Sequence, residues 1–295
     1  MNMNNIGFIG LGRLGKAICS KLLEENVELY IHNRSSNKAT ELIQHGAIWC
    51  ENISELARNC RVIFICTAGE TAIEKYLMNE VTGLIAFLEK GSIIIDLSTI
   101  SPTKAIQIHN KLSCHSLSYI ECPVSGGSEG ALNGSLSAIV AGDEAVWDMI
   151  QPLLYYFCKE ITYTNKLGEA QQLKILNNIA ESINLAGALE VIKLGLLQEI
   201  DIVLMQKVFT SCRGCSAYMN VALKYIISGE KTSDVSLAIR CKDLHLAESL
   251  YQNFNAFQMI DKVKSLFLYT KEIYGEESDQ CDYFSLISKK LSEII

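Results

Sequence analysis

At 295 residues the chain is long enough for two domains, and a hydrophobic content of 49% can supply each with a core. A net charge of −7 without any basic run excludes nucleic acid and anionic membrane as the main partner. The apolar stretches are shorter than a bilayer span, and the opening MNMNNIGFIGLG lacks the basic head and cleavage site of a signal peptide, so the expected location is the cytoplasm.

In chain order, the first half alternates short apolar runs with helical patterns. IGFIG, VELYIHN, RVIFICT and GSIIIDLS are strand candidates, and YIECPV, LSAIVAG and EITYT extend the series. Helical stretches between them predict βαβ crossovers and a largely parallel sheet. From about Gly168 the strands stop and helical patterns run on, with breaks expected near Gly195, Gly214, Gly229 and Gly275. The expected architecture is an α/β Rossmann-type dinucleotide-binding domain over residues 1–165, followed by an all-α domain over 166–295. One long helix, roughly 168–197, joins them. The eleven Cys show no zinc-ligand spacing and the CRGC at 212–215 stands alone, so most thiols are read as small buried hydrophobes. Five scattered His likewise give no metal-ligand spacing, and no metal is expected.

IGFIGLGRLGKAICSKLL is a strand, a Gly10-x-Gly12-x-x-Gly15 turn and an amphipathic helix, the context that gives this motif its meaning. Gly10 permits the tight turn, Gly12 lets a pyrophosphate approach the backbone, and Gly15 allows close helix packing. With Leu11, Arg13 and Leu14 they form the phosphate loop at a helix N-terminus. The next strand ends in IHNRSSNKA, where an NAD-selective site would usually offer an acid to the ribose hydroxyls. Here Asn33 takes that place and Arg34, Ser35 and Lys38 follow; Arg34 can fork onto a ribose 2′-phosphate that a carboxylate would repel. The cofactor reading is NADP(H). A second Gly-rich segment, ECPVSGGSEGALNGSLSAIVAGDE, could present the Ser125 hydroxyl and the bare amides of Gly126 and Gly127 to an anion, or could be a plain turn.

LKILNNIAES reads as helix, and Lys174, Asn177 and Asn178 fall on one of its faces at i, i+3 and i+4. By itself this could be a solvated stripe. Five motifs in order, GFIGLGRLG, DLSTISP, CPVSGGSEGALNGSL, KILNN and KDLHLA, give another reading: the chain resembles the β-hydroxyacid dehydrogenases, typified by 3-hydroxyisobutyrate dehydrogenase and tartronate semialdehyde reductase. The resemblance covers nearly the whole chain. It implies that Lys174 is the catalytic lysine and that Asn178 helps orient the substrate. Ser125, Gly126 and Gly127 match the substrate-carboxylate site; Asn177 is grouped with these substrate-binding residues and is expected to cap or bond neighbouring backbone. Cys66, Thr67, Thr71 and Thr99 fall where family members touch the nicotinamide half, and Lys242 matches a lysine that closes over the cofactor. A homodimer or homotetramer is implied as well.

The sequence departs from the family at Ala170 (usually Gly), at Val235 (usually aromatic), at Cys66-Thr67 (usually Leu-Pro) and at Glu181 (usually apolar). Glu181 could place a carboxylate near the substrate pocket, which leaves the substrate open. The expected chemistry is hydride transfer between nicotinamide and a short β-hydroxy acid or aldehyde acid. Lys174 would move the hydroxyl proton if its ammonium is partly desolvated. Two alternatives stand beside it: imine reduction on the same architecture, whose members commonly lack the lysine, and a non-catalytic nucleotide-binding or scaffolding protein.

Overall fold

A computed structural model describes residues 5–25, 27–229, 235–254 and 256–292. Contacts divide the chain into two compact units, Met1–Lys174 and Ile175–Ile295.

The first unit is built on strands β1 (Asn5–Ile9), β2 (Glu28–His32), β3 (Ile48–Trp49), β4 (Val62–Ile65), β5 (Ile93–Asp96), β6 (Ser118–Glu121), β7 (Val124–Ser125), β8 (Leu136–Ala141) and β9 (Cys158–Thr164). Among the described residues they form a single sheet in the order β3-β2-β1-β4-β5-β6-β8-β7, with β9 paired to β8. Pairing is parallel from β3 through β6 and between β8 and β9, whereas β8 runs antiparallel to β6 and β7. The first six strands follow the doubly wound dinucleotide-binding order. β4 (VIFI) is apolar at every position because a parallel strand is covered on both faces. Alternate residues feed two cores: Phe8, Phe64 and Ile95 one, Ile9, Ile63, Ile65 and Ile94 the other.

Helices α1 (Arg13–Glu24), α2 (Thr40–Gln44), α3 (Ile53–Asn59), α4 (Glu70–Ile73), α5 (Pro102–Cys114), α6 (Gly127–Leu132) and α7 (Glu144–Leu154) fill the crossovers. Their starts are local: Asn52 accepts from the Glu55 amide, Ser101 from the Lys104 amide with Pro102 next, and Asp143 from the Ala145 amide. The short strand β3 was not expected from sequence, since two residues give no periodicity.

Helix α8 (Glu169–Leu197) matches the expected long helix and passes from one unit into the other. The second unit adds α9 (Ile202–Ser211), α10 (Ala217–Ser228), α11 (Leu237–Tyr251), α12 (Gln258–Tyr274) and α13 (Tyr283–Ser292). They pack Leu185, Leu189, Ile192, Met205, Leu223, Leu244 and Phe267 into one core. Gly229, at φ 68°, ends α10 as a left-handed cap. The break expected near Gly195 is met by the end of α8 at Leu197; a Cβ on Gly195 would stand 2.3 Å from Met205 Sδ, so this glycine also lets α9 approach. Among the described residues no helix is long and apolar enough to cross a membrane.

Candidate active site

The phosphate loop leaves β1 at the point where the sheet order reverses, between β2 and β4, the usual crevice for a ligand in such sheets. Gly10 has φ 104°, and a Cβ on it would stand 2.0 Å from the Cys66 carbonyl oxygen; a Cβ on Gly15 would stand 2.0 Å from the Gly10 carbonyl oxygen. Over Gly12, by contrast, a Cβ would meet nothing within 4 Å. The loop is closed where strand and helix must touch and open where a pyrophosphate would lie, which fits a dinucleotide. Gly12 caps α1 and, like Arg13, is exposed, while Leu11 is buried in the core and Leu14 packs against it.

Asn33 holds the neighbouring turn: its Oδ1 accepts from the Leu11 amide at 3.1 Å and its Nδ2 donates to the Ser35 carbonyl at 3.0 Å. Arg34 and Lys38 are exposed and Ser35 is half-buried. Beyond them lies a cavity of about 400 Å³ whose lining includes His32, Arg34, Ser36, Glu51, Lys75 and Tyr76. His32 is stacked on Trp49 with ring centroids 5.7 Å apart, and Tyr76 meets its edge. Its Nδ1 lies 2.9 Å from the Cys50 carbonyl, an acceptor only, so that nitrogen carries the proton. Sequence reading missed this aromatic wall, because Trp49 and Tyr76 belong to no motif and meet His32 only through the fold.

At the end of β4, Cys66 and Thr67 are half-buried. The Thr67 amide donates to Ser98 Oγ at 3.0 Å, joining the carboxyl ends of β4 and β5. Thr99 follows, half-buried, and Thr71 is exposed on α4. β7 brings Ser125 to its position opposite Ser137 of β8, and Gly126 and Gly127 follow at φ 126° and 65°.

Lys174 is only 7% exposed and Asn178 4%, so the solvated-stripe reading of α8 fails at both positions. Asn177 is exposed, and its Nδ2 donates to Glu181 Oε1 at 2.7 Å; its partner is a side chain, not the backbone that was expected. Two residues that carried no sequence signal fasten the turns before Lys174. Glu121, buried at the end of β6, accepts from the Gly168 amide at 2.6 Å and the Gln171 amide at 3.3 Å. Gln171 in turn donates to the Ser98 carbonyl at 3.0 Å and accepts from the Ile100 amide at 3.1 Å. Burial pushes the Glu121 carboxyl up to about 7, against the two amide donors, which pull the other way.

In the second unit, Glu181 is engaged by the Tyr218 hydroxyl at 2.7 Å and by Arg240 at 3.3 Å, so its carboxylate serves a buried polar network. Lys242 is half-buried on α11 beside Asp243. The buried thiols are held protonated: burial raises Cys50 and Cys158 to about 12 and pushes Cys122 up as well. Among the described residues no group of three or more His, Cys, Asp or Glu is placed to hold a metal.

Two family models match. Residues 5–165 fit the NAD binding domain of 6-phosphogluconate dehydrogenase, and residues 168–287 fit the NAD-binding domain of NADP-dependent 3-hydroxyisobutyrate dehydrogenase. The chain is 31% identical to 2-(hydroxymethyl)glutarate dehydrogenase of Eubacterium barkeri, over 82% of this chain and 80% of that protein. It is 29% identical to 2-hydroxy-3-oxopropionate reductase of Escherichia coli, over 82% of each. A solved structure described as Psf3 in complex with NADP+ and 2-OPP is 51% identical, with a TM-score of 0.94 over 96% of this chain and 99% of that one. The chain belongs to the β-hydroxyacid dehydrogenase family, oxidoreductases that act on a CH–OH group with a nicotinamide dinucleotide.

Proposed function

We propose that this enzyme is an NADP(H)-dependent oxidoreductase of a short β-hydroxy acid or aldehyde acid, with Lys174 as its general acid and base. The observation that carries the reading is the burial of Lys174 and Asn178 one turn apart on α8, an amine and a carboxamide both withdrawn from water. The cofactor, when bound, supplies or accepts the hydride. Lys174 Nζ gives a proton to the developing alkoxide oxygen during reduction and takes it back during oxidation. Asn178 orients the hydroxyl, and Ser125 with the Gly126 and Gly127 amides receives the substrate carboxylate. Cys66, Thr67, Thr71 and Thr99 border the nicotinamide half, and Lys242 closes over the cofactor. Arg34, Ser35 and Lys38 take the ribose 2′-phosphate, with Asn33 shaping their turn and removing the acid that would repel it.

Two further assignments go with this reading. The enzyme works in the cytoplasm as a homodimer or homotetramer, and Leu176, Val191, Leu194 and Val203, exposed on α8 and α9, supply the apolar contact. Imine reduction is disfavoured because Lys174 is present and buried.

The test is turnover with NADPH on glyoxylate, succinic semialdehyde, tartronate semialdehyde, 2-OPP and cyclic imines, by wild type and by Lys174→Ala. The variant is expected to lose about two to four orders of magnitude in kcat on the acid substrates. Its affinity for NADPH should stay near that of the wild type. Near-normal turnover by Lys174→Ala on every accepted substrate would overturn the mechanism.

A further inference from the structure

Asp243, 6% exposed on α11, stands between two residues that the proposed function uses. Its Oδ2 accepts from Asn178 Nδ2 at 2.8 Å. Its Oδ1 lies 3.0 Å from Lys242 Nζ, an ion pair rather than an aligned hydrogen bond. A carboxylate only accepts, so this contact decides which end of the carboxamide faces it: Nδ2 turns toward Asp243 and Oδ1 away. The backbone of Asn178 is held too, because its carbonyl accepts from Ser182 Oγ at 2.6 Å and from Arg240 Nη1 at 3.2 Å.

Arg240 is 1% exposed, and its donors are spent on Gln280, Tyr218, Glu181, Ser182 and the Asn178 carbonyl. It is therefore a strut for this stretch of α8. A buried amide held only by apolar packing could sit either way round; this one cannot. The geometry points to Asp243 as a positioning residue that sets the Asn178 carboxamide in one sense, leaving Oδ1 and one N–H for the substrate. This inference rests on the reading of Asn178 as the group that orients the substrate.

The experiment is a double-mutant cycle on the whole enzyme, reading kcat/KM of the accepted acid substrate at saturating NADPH, so that changes in cofactor affinity do not enter. Asp243→Asn has the same shape but offers a donor as well as an acceptor, so the facing amide loses its fixed sense. A fall of about tenfold to a hundredfold is expected for Asp243→Asn, the scale of a misplaced orienting group. Asn178→Ala should fall at least as far, and the double variant no further than Asn178→Ala alone, because Asp243 acts through Asn178. Kinetics within twofold of wild type for Asp243→Asn, or effects that multiply in the double variant, would overturn the proposal. Wild-type kinetics for Asn178→Ala would instead remove the reading of Asn178, and the role of Asp243 with it. If Asp243→Asn does not fold, Asp243→Ser takes its place in the cycle; failure of both to fold would make Asp243 a purely structural residue and sink the proposal.

Discussion

Arg34 shows what a single exposed side chain can decide. It stands at the end of β2 with no acid beside it in the turn, since Asn33 spends its carboxamide on the Leu11 amide and the Ser35 carbonyl. Arg34→Ala is expected to raise the KM for NADPH about tenfold to a hundredfold, the equivalent of one or two charge-assisted hydrogen bonds. The KM for NADH should change little, because NADH carries no 2′-phosphate. Steady-state kinetics with both cofactors checks this, and a wild type that prefers NADH would refute it. The proposed proton transfer at Lys174 predicts that Lys174→Arg stays nearly as slow as Lys174→Ala, since a guanidinium does not release its proton near neutral pH.

At the scale of an element, the start of α8 depends on a buried carboxyl. Glu121 receives two amides from residues 168 and 171, yet burial outweighs them and raises its carboxyl from 4.5 to about 7. The folded protein therefore binds this proton more tightly than the unfolded chain does. Below about pH 4.5 both states are protonated and the group has no effect on stability. As pH rises to about 7 the unfolded chain ionises first, so stability is lost across that window and stays lost above it. At about 1.4 kcal/mol per pH unit the loss is of order 3 kcal/mol. Glu121→Gln cannot ionise, so the stability difference between variant and wild type should move in favour of the variant from pH 5 to pH 8. Urea unfolding at the two pH values reads it, and an unchanged difference would refute the assignment. The same element shows the reach of sequence patterns. Leu173, Ile175, Leu176 and Ile179 announce a helix, but whether its polar face meets water or protein depends on what the rest of the chain lays over it. Gly195 shows the same limit: its spacing marks the end of α8, which comes at Leu197, but not that Met205 packs against its bare Cα.

For the whole molecule, the proposed assembly has to cover apolar residues left outside the cores of the two units. Val191 is 47% exposed, Leu194 59% and Val203 62%, and these are the residues that the proposed oligomer would bury. Leu194→Glu with Val203→Glu is expected to shift sedimentation at micromolar concentration toward the monomer, and a wild type that already sediments as a monomer would remove the interface.

The sequence by itself determined the phosphate loop, the alternation of strands and helices, the long helix and the family motifs, because each is written in contiguous residues whose spacing matches a local period or turn. Glu181 marks the limit of that reading. From sequence it could place a carboxylate near the substrate pocket; the fold adds what no spacing announces, that it accepts from Arg240 and Tyr218. Those partners lie 59 and 37 residues away along the chain. The aromatic wall around His32, the Glu121 and Gln171 ties beneath Lys174, and the Asn178–Asp243 pair were likewise decided only by tertiary structure. Each is a contact between residues far apart in sequence, and no local pattern encodes which buried polar group will answer which.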